Sequence, residues 1–138
     1  MKKFNGELKF TVPLNPVTKK NSGQVTKSGM VLPSKAYRRY EKEALKLIPP
    51  DARLHINEPV NVKALYYMKT DYYAPERKSK IDIQNLHNAL ADTLVEAGVL
   101  EDDNCRIVFS MDGSRVLHDK RNPRTEVTIT RIESEETP

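Results

Sequence analysis

Residues 81–98, IDIQNLHNALADTLVEAG, restrict the fold of this chain more than any other stretch. Leu86, Ala89, Leu90, Thr93, Leu94 and Ala97 recur at helical spacing, so a helix gathers them on one stripe with polar residues opposite. Asp82 stands where an N-cap belongs, and Gly98 suits the left-handed stop at the other end. A one-sided helix needs an apolar surface to cover, so the rest of the chain must supply one.

Alternation supplies it. GELKFTVPL (6–14) places Leu8, Phe10, Val12 and Leu14 at the period of a half-buried strand, with Pro13 near its end. VNVKALYYMKT (60–70), CRIVFSM (105–111) and TEVTITRI (125–132) read as further strands. SKAYRRYEKEALKLI (34–48) is a second helix, with Ser34 as its cap, Tyr37, Tyr40, Ala44 and Ile48 on one stripe, and Pro49-Pro50 as its stop. The order β, α, β, α, β, β predicts an α+β fold, a mixed sheet of about four to five strands with two main helices packed on it. A chain of 138 residues fits one domain, here residues 1–132, followed by an acidic tail at 133–138 (ESEETP) expected to be disordered.

Three segments read as loops: 15–29, 71–80 and 112–124. They hold much of the basic excess of a chain with 23 Lys+Arg against 19 Asp+Glu: Lys19 and Lys20 in the first, Arg77, Lys78 and Lys80 in the second, Arg115, Lys120 and Arg124 in the third. Such clusters favour a polyanionic partner, with a merely solvated surface as the alternative. The lone Cys105 excludes an intramolecular disulfide and reads as a small packed residue rather than a nucleophile. No apolar run is long enough for a signal peptide or a membrane span, so a cytoplasmic protein without a membrane partner is expected. His55, His87 and His118 lack zinc-ligand spacing with Cys105. Tyr66, Tyr67, Tyr72 and Tyr73 suit either stacking on splayed bases or packing against the core.

The chain then crowds Glu101, Asp102 and Asp103 just after the second helix. A helix from about Gln84 to Glu96 carries the chain roughly 18 Å from Asp82. An extended return over residues 98–103 recovers about 16 Å, which predicts Asp103 level with Asp82. Two such carboxylates repel unless a cation sits between them or one is protonated, and oxygen ligands suit Mg²⁺ or Mn²⁺. Beside a basic surface, such an ion serves metal-assisted phosphodiester cleavage. The competing reading makes Asp82 a helix cap and Asp102-Asp103-Asn104 ordinary turn residues.

IDIQNLHNALADTLVEAGVLEDDNCRI resembles the central motif of the RusA-type Holliday-junction resolvases, an Asp-x-Asp-Asn-Leu helix start with a Lys one turn on and a Gly-containing link to Asp-Asp. The NPVTKKNS loop resembles that family's substrate-side entry, and the likeness extends over nearly the whole chain. The resemblance implies a homodimeric, Mg²⁺-dependent endonuclease, with Mn²⁺ as a substitute, that nicks four-way DNA junctions. Asp82 and Asp103 match the family's metal-binding carboxylates, with Asp102 and Gln84 as further ligands, while Asn85 and Leu86 match the end of the motif. Two positions depart from the pattern: Gln84 replaces the second Asp, and Asn88 replaces the Lys. Gln84 removes one negative charge from the expected metal site. The cationic role of the missing Lys passes to Lys80, His118 or Lys120, of which Lys80 immediately precedes the motif. Phosphate contacts are expected from Lys19, Lys20, Arg77, Lys78, Lys80, Arg115, Lys120 and Arg124. The alternatives are a branched-DNA-binding protein that no longer cleaves and a basic interaction module without preference for branched DNA.

Overall fold

The computed structural model describes residues 3–18, 21–25, 27–29 and 31–133. Lys19, Lys20 and positions 134–138 of the expected tail lie outside them. Strand β1 is Glu7–Val12, β2 Asn21–Val25 and β3 Val31–Pro33, followed by helix α1 at Lys35–Leu47 and strand β4 at Val60–Met68. Helix α2 is Ile83–Glu96, and strands β5 (Val108–Ser110), β6 (Arg115–His118) and β7 (Arg124–Arg131) complete the order.

Five of these strands form one mixed sheet. β7 lies between β1 and β4 and is antiparallel to both, with Phe10 opposite Val127 and Ala64 opposite the same residue. Along its other side β4 is met first by β5 and then by β6, both parallel to it. Parallel pairing needs a crossover, which α2 supplies between β4 and β5. The alternation of β4 puts Val60, Val62, Ala64, Tyr66 and Met68 on the helix-covered face, while Lys63 faces solvent.

Both helices pack on that buried face. Tyr40 and Ala44 from α1, Ile48 at its C-cap, and Leu86, Leu90 and Leu94 from α2 join Phe10, Val12, Val127 and Ile129 in one core. Burying each leucine of α2 stabilises the fold by roughly 1.5–3 kcal/mol, so its stripe outweighs any local propensity. Ser34 caps α1 by accepting from the Tyr37 N–H at 3.1 Å. The Arg53 guanidinium ties the helix ends together, donating to the carbonyls of Leu45, Ile48 and Ala97. No helix among the described residues is long and apolar enough to cross a membrane.

Three expectations from sequence need correction. The segment 15–29 is not wholly a loop: β2 and β3 pair as an antiparallel ribbon, with backbone bonds that turn-rich composition conceals. Residues 105–107 do not begin a strand, because the Asn104 carbonyl accepts from both Ile107 and Val108 and curls the chain into a turn that leaves Cys105 exposed. The segment 112–124 is not a free hairpin loop, since β6 within it completes the sheet. Its register is fixed by side chains that composition does not reveal. Asn61 Oδ1 accepts from Ser110 Oγ (2.6 Å) and from the Asp112 N–H (2.7 Å), and Ser114 Oγ accepts from the Ala64 N–H at 3.0 Å.

Candidate active site

The segment entering α2 is built from local turns. Asp71 Oδ1 accepts from the Tyr73 N–H at 3.0 Å, and the Arg77 N–H closes a further turn on the Ala74 carbonyl at 3.0 Å. The Arg77 guanidinium lies 5.4 Å from the centre of the Tyr72 ring. The chain reaches Asp82 in extended conformation (φ −102°, ψ 120°), and Asp82 Oδ1 then accepts from the Gln84 N–H at 2.9 Å. Asp82 is therefore the N-cap of α2, the position where a carboxylate both satisfies an open N–H and meets the positive end of the helix dipole. Capping does not use up its charge: it makes no ion pair among the described residues.

Thr18, Tyr72, Lys80, Ile81, Asp82 and Asn85 line one cavity of about 170 Å³. Lys80 and Asp82 thus share a surface depression with the amide of Asn85. Through Tyr72, Lys80 and Ile81 this depression continues into a larger cleft of about 650 Å³ between residues 72–83 and the edge strand β6, where Arg115 also lies. A cation and a carboxylate beside a cleft of nucleotide scale are equipped to seat a phosphate and to hold a water near it.

Asp103 belongs to a second depression. It shares a cavity of about 340 Å³ with Glu41, Asp92, Val95, Glu96 and Asp102. Asp92 is ten residues beyond Asp82 on the helix side, about 15 Å further along the axis. The return after Gly98 is therefore shorter than an extended chain permits. Residues 98–101 are first pinned beside residues 55–56 by the bonds His55 N–H to Gly98 O (2.9 Å), Ile56 N–H to Val99 O (3.0 Å) and Glu101 N–H to Ile56 O (2.9 Å). Gly98 is needed at that turn: its φ is +79°, and a Cβ there would come within 2.9 Å of the His55 ring. Asp102 then folds the chain back on itself, accepting from the Asp103 N–H at 2.8 Å and from Asn104 Nδ2 at 2.9 Å. Those two donors, the backbone N–H first, hold the Asp102 carboxyl below its usual range.

Within one chain Asp82 and Asp103 consequently face different cavities, and no group of three or more His, Cys, Asp or Glu side chains among the described residues is arranged to hold a metal ion. Gln84 is exposed and lines neither cavity; it contributes its backbone N–H to the cap. Asn88 is exposed as well and lines neither. Of the three residues considered as substitutes for the motif Lys, Lys80 shares the cavity of Asp82, whereas His118 and Lys120 are exposed at and beyond the end of β6.

The basic residues divide in the same way. Arg77, Lys78, Lys80, Arg115 and Lys120 are exposed. Arg124 is not free: its guanidinium is 3.8 Å from the Tyr67 ring centre and bonds to Asp119 at 2.9 Å and Glu126 at 2.8 Å. The tyrosines separate too. Tyr66 is buried against the core with its hydroxyl 2.6 Å from His87 Nδ1, whereas Tyr73 is 73% exposed. Thr18, within the NPVTKKNS stretch, reaches the Asp82 cavity from the segment after β1, although nothing in the sequence singled it out individually.

A family model described as endodeoxyribonuclease RusA matches residues 13–130, a span that contains both cavities. No curated protein matches the chain.

Proposed function

Because the chain belongs to the RusA family of endodeoxyribonucleases, we propose that it is a structure-specific endonuclease that nicks four-way DNA junctions in recombination and repair, as a pair of identical subunits and with Mg²⁺. The observation that carries this reading is the shared cavity of Lys80 and Asp82, which opens into the cleft bordered by Arg115. In it Lys80 takes over the cationic part that Asn88 cannot play, neutralising the charge of a bound phosphate. Asp82, held by its cap in one orientation, is placed to orient a water against that phosphate.

The metal ion would supply charge neutralisation and a water of lowered pKa. The hard oxygen donors Asp82, Asp102 and Asp103 suit Mg²⁺ chemically, but one chain does not gather them, so the site as folded does not fit the ion by itself. Paired nicking requires two sites, so the proposal includes a second copy of the chain. Lys78, Lys80, Arg115 and Lys120 serve as phosphate contacts, and Lys19 and Lys20, outside the described residues, are proposed as further ones from their charge alone.

A second reading has its own support. Gln84 and Asn88 remove a carboxylate and a cation from the family's motif, and Asp82 and Asp103 line different cavities, which favours a branched-DNA-binding protein that does not cut. One experiment separates the two: purified protein is incubated with a synthetic mobile four-way junction, with and without Mg²⁺ or Mn²⁺, and resolved on native and denaturing gels. Junction binding with metal-dependent nicks is the expected result. Binding without nicks at any metal concentration establishes the second reading, and no preference for the junction over linear duplex refutes both.

A further inference from the structure

We infer that the cleft between residues 72–83 and β6 receives a single unstacked nucleobase of the DNA strand whose backbone lies at Lys80 and Asp82, with Tyr73 as its stacking platform. The inference rests on the junction-directed reading above and adds to it how the crossover is engaged.

Tyr73 is the observation that prompts it. An aromatic ring 73% exposed costs apolar surface left in water, yet this one is held in place at both ends. Its backbone N–H is bound by Asp71, and its hydroxyl donates to the Val116 carbonyl at 3.0 Å across the cleft from the other wall. Ordering the ring in advance removes much of the entropy that stacking would otherwise cost. Apolar side chains of Ile81, Ile83 and Val116 line the same space, and all three are packed against the core, so the wall is firm. At about 650 Å³ the cleft has the scale of a small-molecule site rather than of a duplex groove, which selects one splayed base with its sugar and phosphates.

Charge fixes the class of occupant. The two ionisable side chains with full charge lining the cleft, Lys80 and Arg115, are both cations, and neither forms an ion pair among the described residues. An apolar slot with an aromatic platform and a cationic rim matches a nucleobase flanked by phosphates, the combination by which single-stranded nucleic acid is held. The continuity with the Asp82 cavity through Tyr72, Lys80 and Ile81 places that base within a nucleotide or two of the backbone at the proposed reaction site. Bases in uninterrupted duplex stay stacked, whereas those at a crossover unstack at less cost, so such a cleft discriminates junction from duplex.

The test is a binding cycle between the ring and the base. Single abasic nucleotides are scanned along one strand of a four-way junction, and affinities are measured by fluorescence anisotropy for wild type, Tyr73→Ala and Tyr73→Phe. Tyr73→Ala is expected to weaken junction binding about 5- to 150-fold, the range for losing one base–aromatic stack. Tyr73→Phe keeps the ring and stays within about 3-fold of wild type, which excludes the hydroxyl bond as the cause. At one position near the crossover the abasic lesion should weaken wild type by a similar factor and leave Tyr73→Ala unchanged. Additive effects of ring and base at every position, or wild-type affinity in Tyr73→Ala, overturn the inference while the junction reading stands. A wild type that does not prefer junctions refutes the junction reading instead. The cleft is then judged by a short oligothymidylate: binding that weakens in Tyr73→Ala supports it, and equal binding refutes it.

Discussion

Asp82 has two roles that substitution can separate. As the N-cap of α2 it accepts from the Gln84 N–H at 2.9 Å, and as a carboxylate it lies in the cavity of Lys80. Asn caps about as well as Asp, so Asp82→Asn keeps the hydrogen bond and loses only the charge. At an exposed helix start that charge is worth about 0.3 kcal/mol, the low end of the dipole range. Asp82→Ala loses the cap as well, a further cost of about 1 kcal/mol. For a domain of this size the sum lowers Tm by roughly 3–6 °C in Asp82→Ala and by about 1 °C in Asp82→Asn. Nicking should respond differently. If the carboxylate orients the attacking water, both variants lose at least about 100-fold in the single-turnover rate, the low end for an acid–base or charge-stabilising group. Thermal melts and denaturing gels of junction cleavage at fixed salt provide the two readouts. Asp82→Asn that melts and cleaves like wild type would refute the reasoning and leave Asp82 a cap alone.

The remaining predictions concern charge and pH. Replacing Lys80 and Arg115 together with Ala should flatten the slope of log affinity against log salt by about 2 if each contacts one phosphate; an unchanged slope in a salt titration places the cleft away from the backbone. Burial lowers the His87 pKa below its ordinary value, and burial also holds Tyr66 protonated, so a neutral His87 and the Tyr66 hydroxyl share their 2.6 Å hydrogen bond. Since the unfolded chain protonates its imidazole first, this contribution of a neutral His87 to stability is complete above about pH 6.5 and is lost as pH falls through and below it. Urea unfolding at pH 7.5 and 5.5 should show a smaller loss on acidification in His87→Gln than in wild type; equal losses would assign the acid sensitivity to other groups.

The two helices and the core strands were legible in the sequence because their signals are local and repeated. Every residue expected on the stripe of α2, from Leu86 to Ala97, is buried, and Ser34, Asp82 and Gly98 occupy the cap and turn positions their chemistry suits. The central motif was sufficient to expect the family that the match over residues 13–130 establishes. What the sequence did not determine depends on contacts between distant residues. β6 exists because Asn61 and Ser114 lock residues 110–114 against β4, which no pattern within 112–124 reveals. The fate of Arg124, bound to Asp119, Glu126 and Tyr67 instead of facing solvent, depends on the same folding of that segment. Most consequentially, chain length permitted Asp103 to return beside Asp82, but length sets only how far a segment can reach. The backbone bonds that pin residues 98–101 to residues 55–56, and the turn closed by Asp102, use that reach sideways and keep Asp103 beside Asp92 and Glu96. Hydrogen bonding between segments some forty residues apart, not the spacing within one motif, decides which side chains share a site.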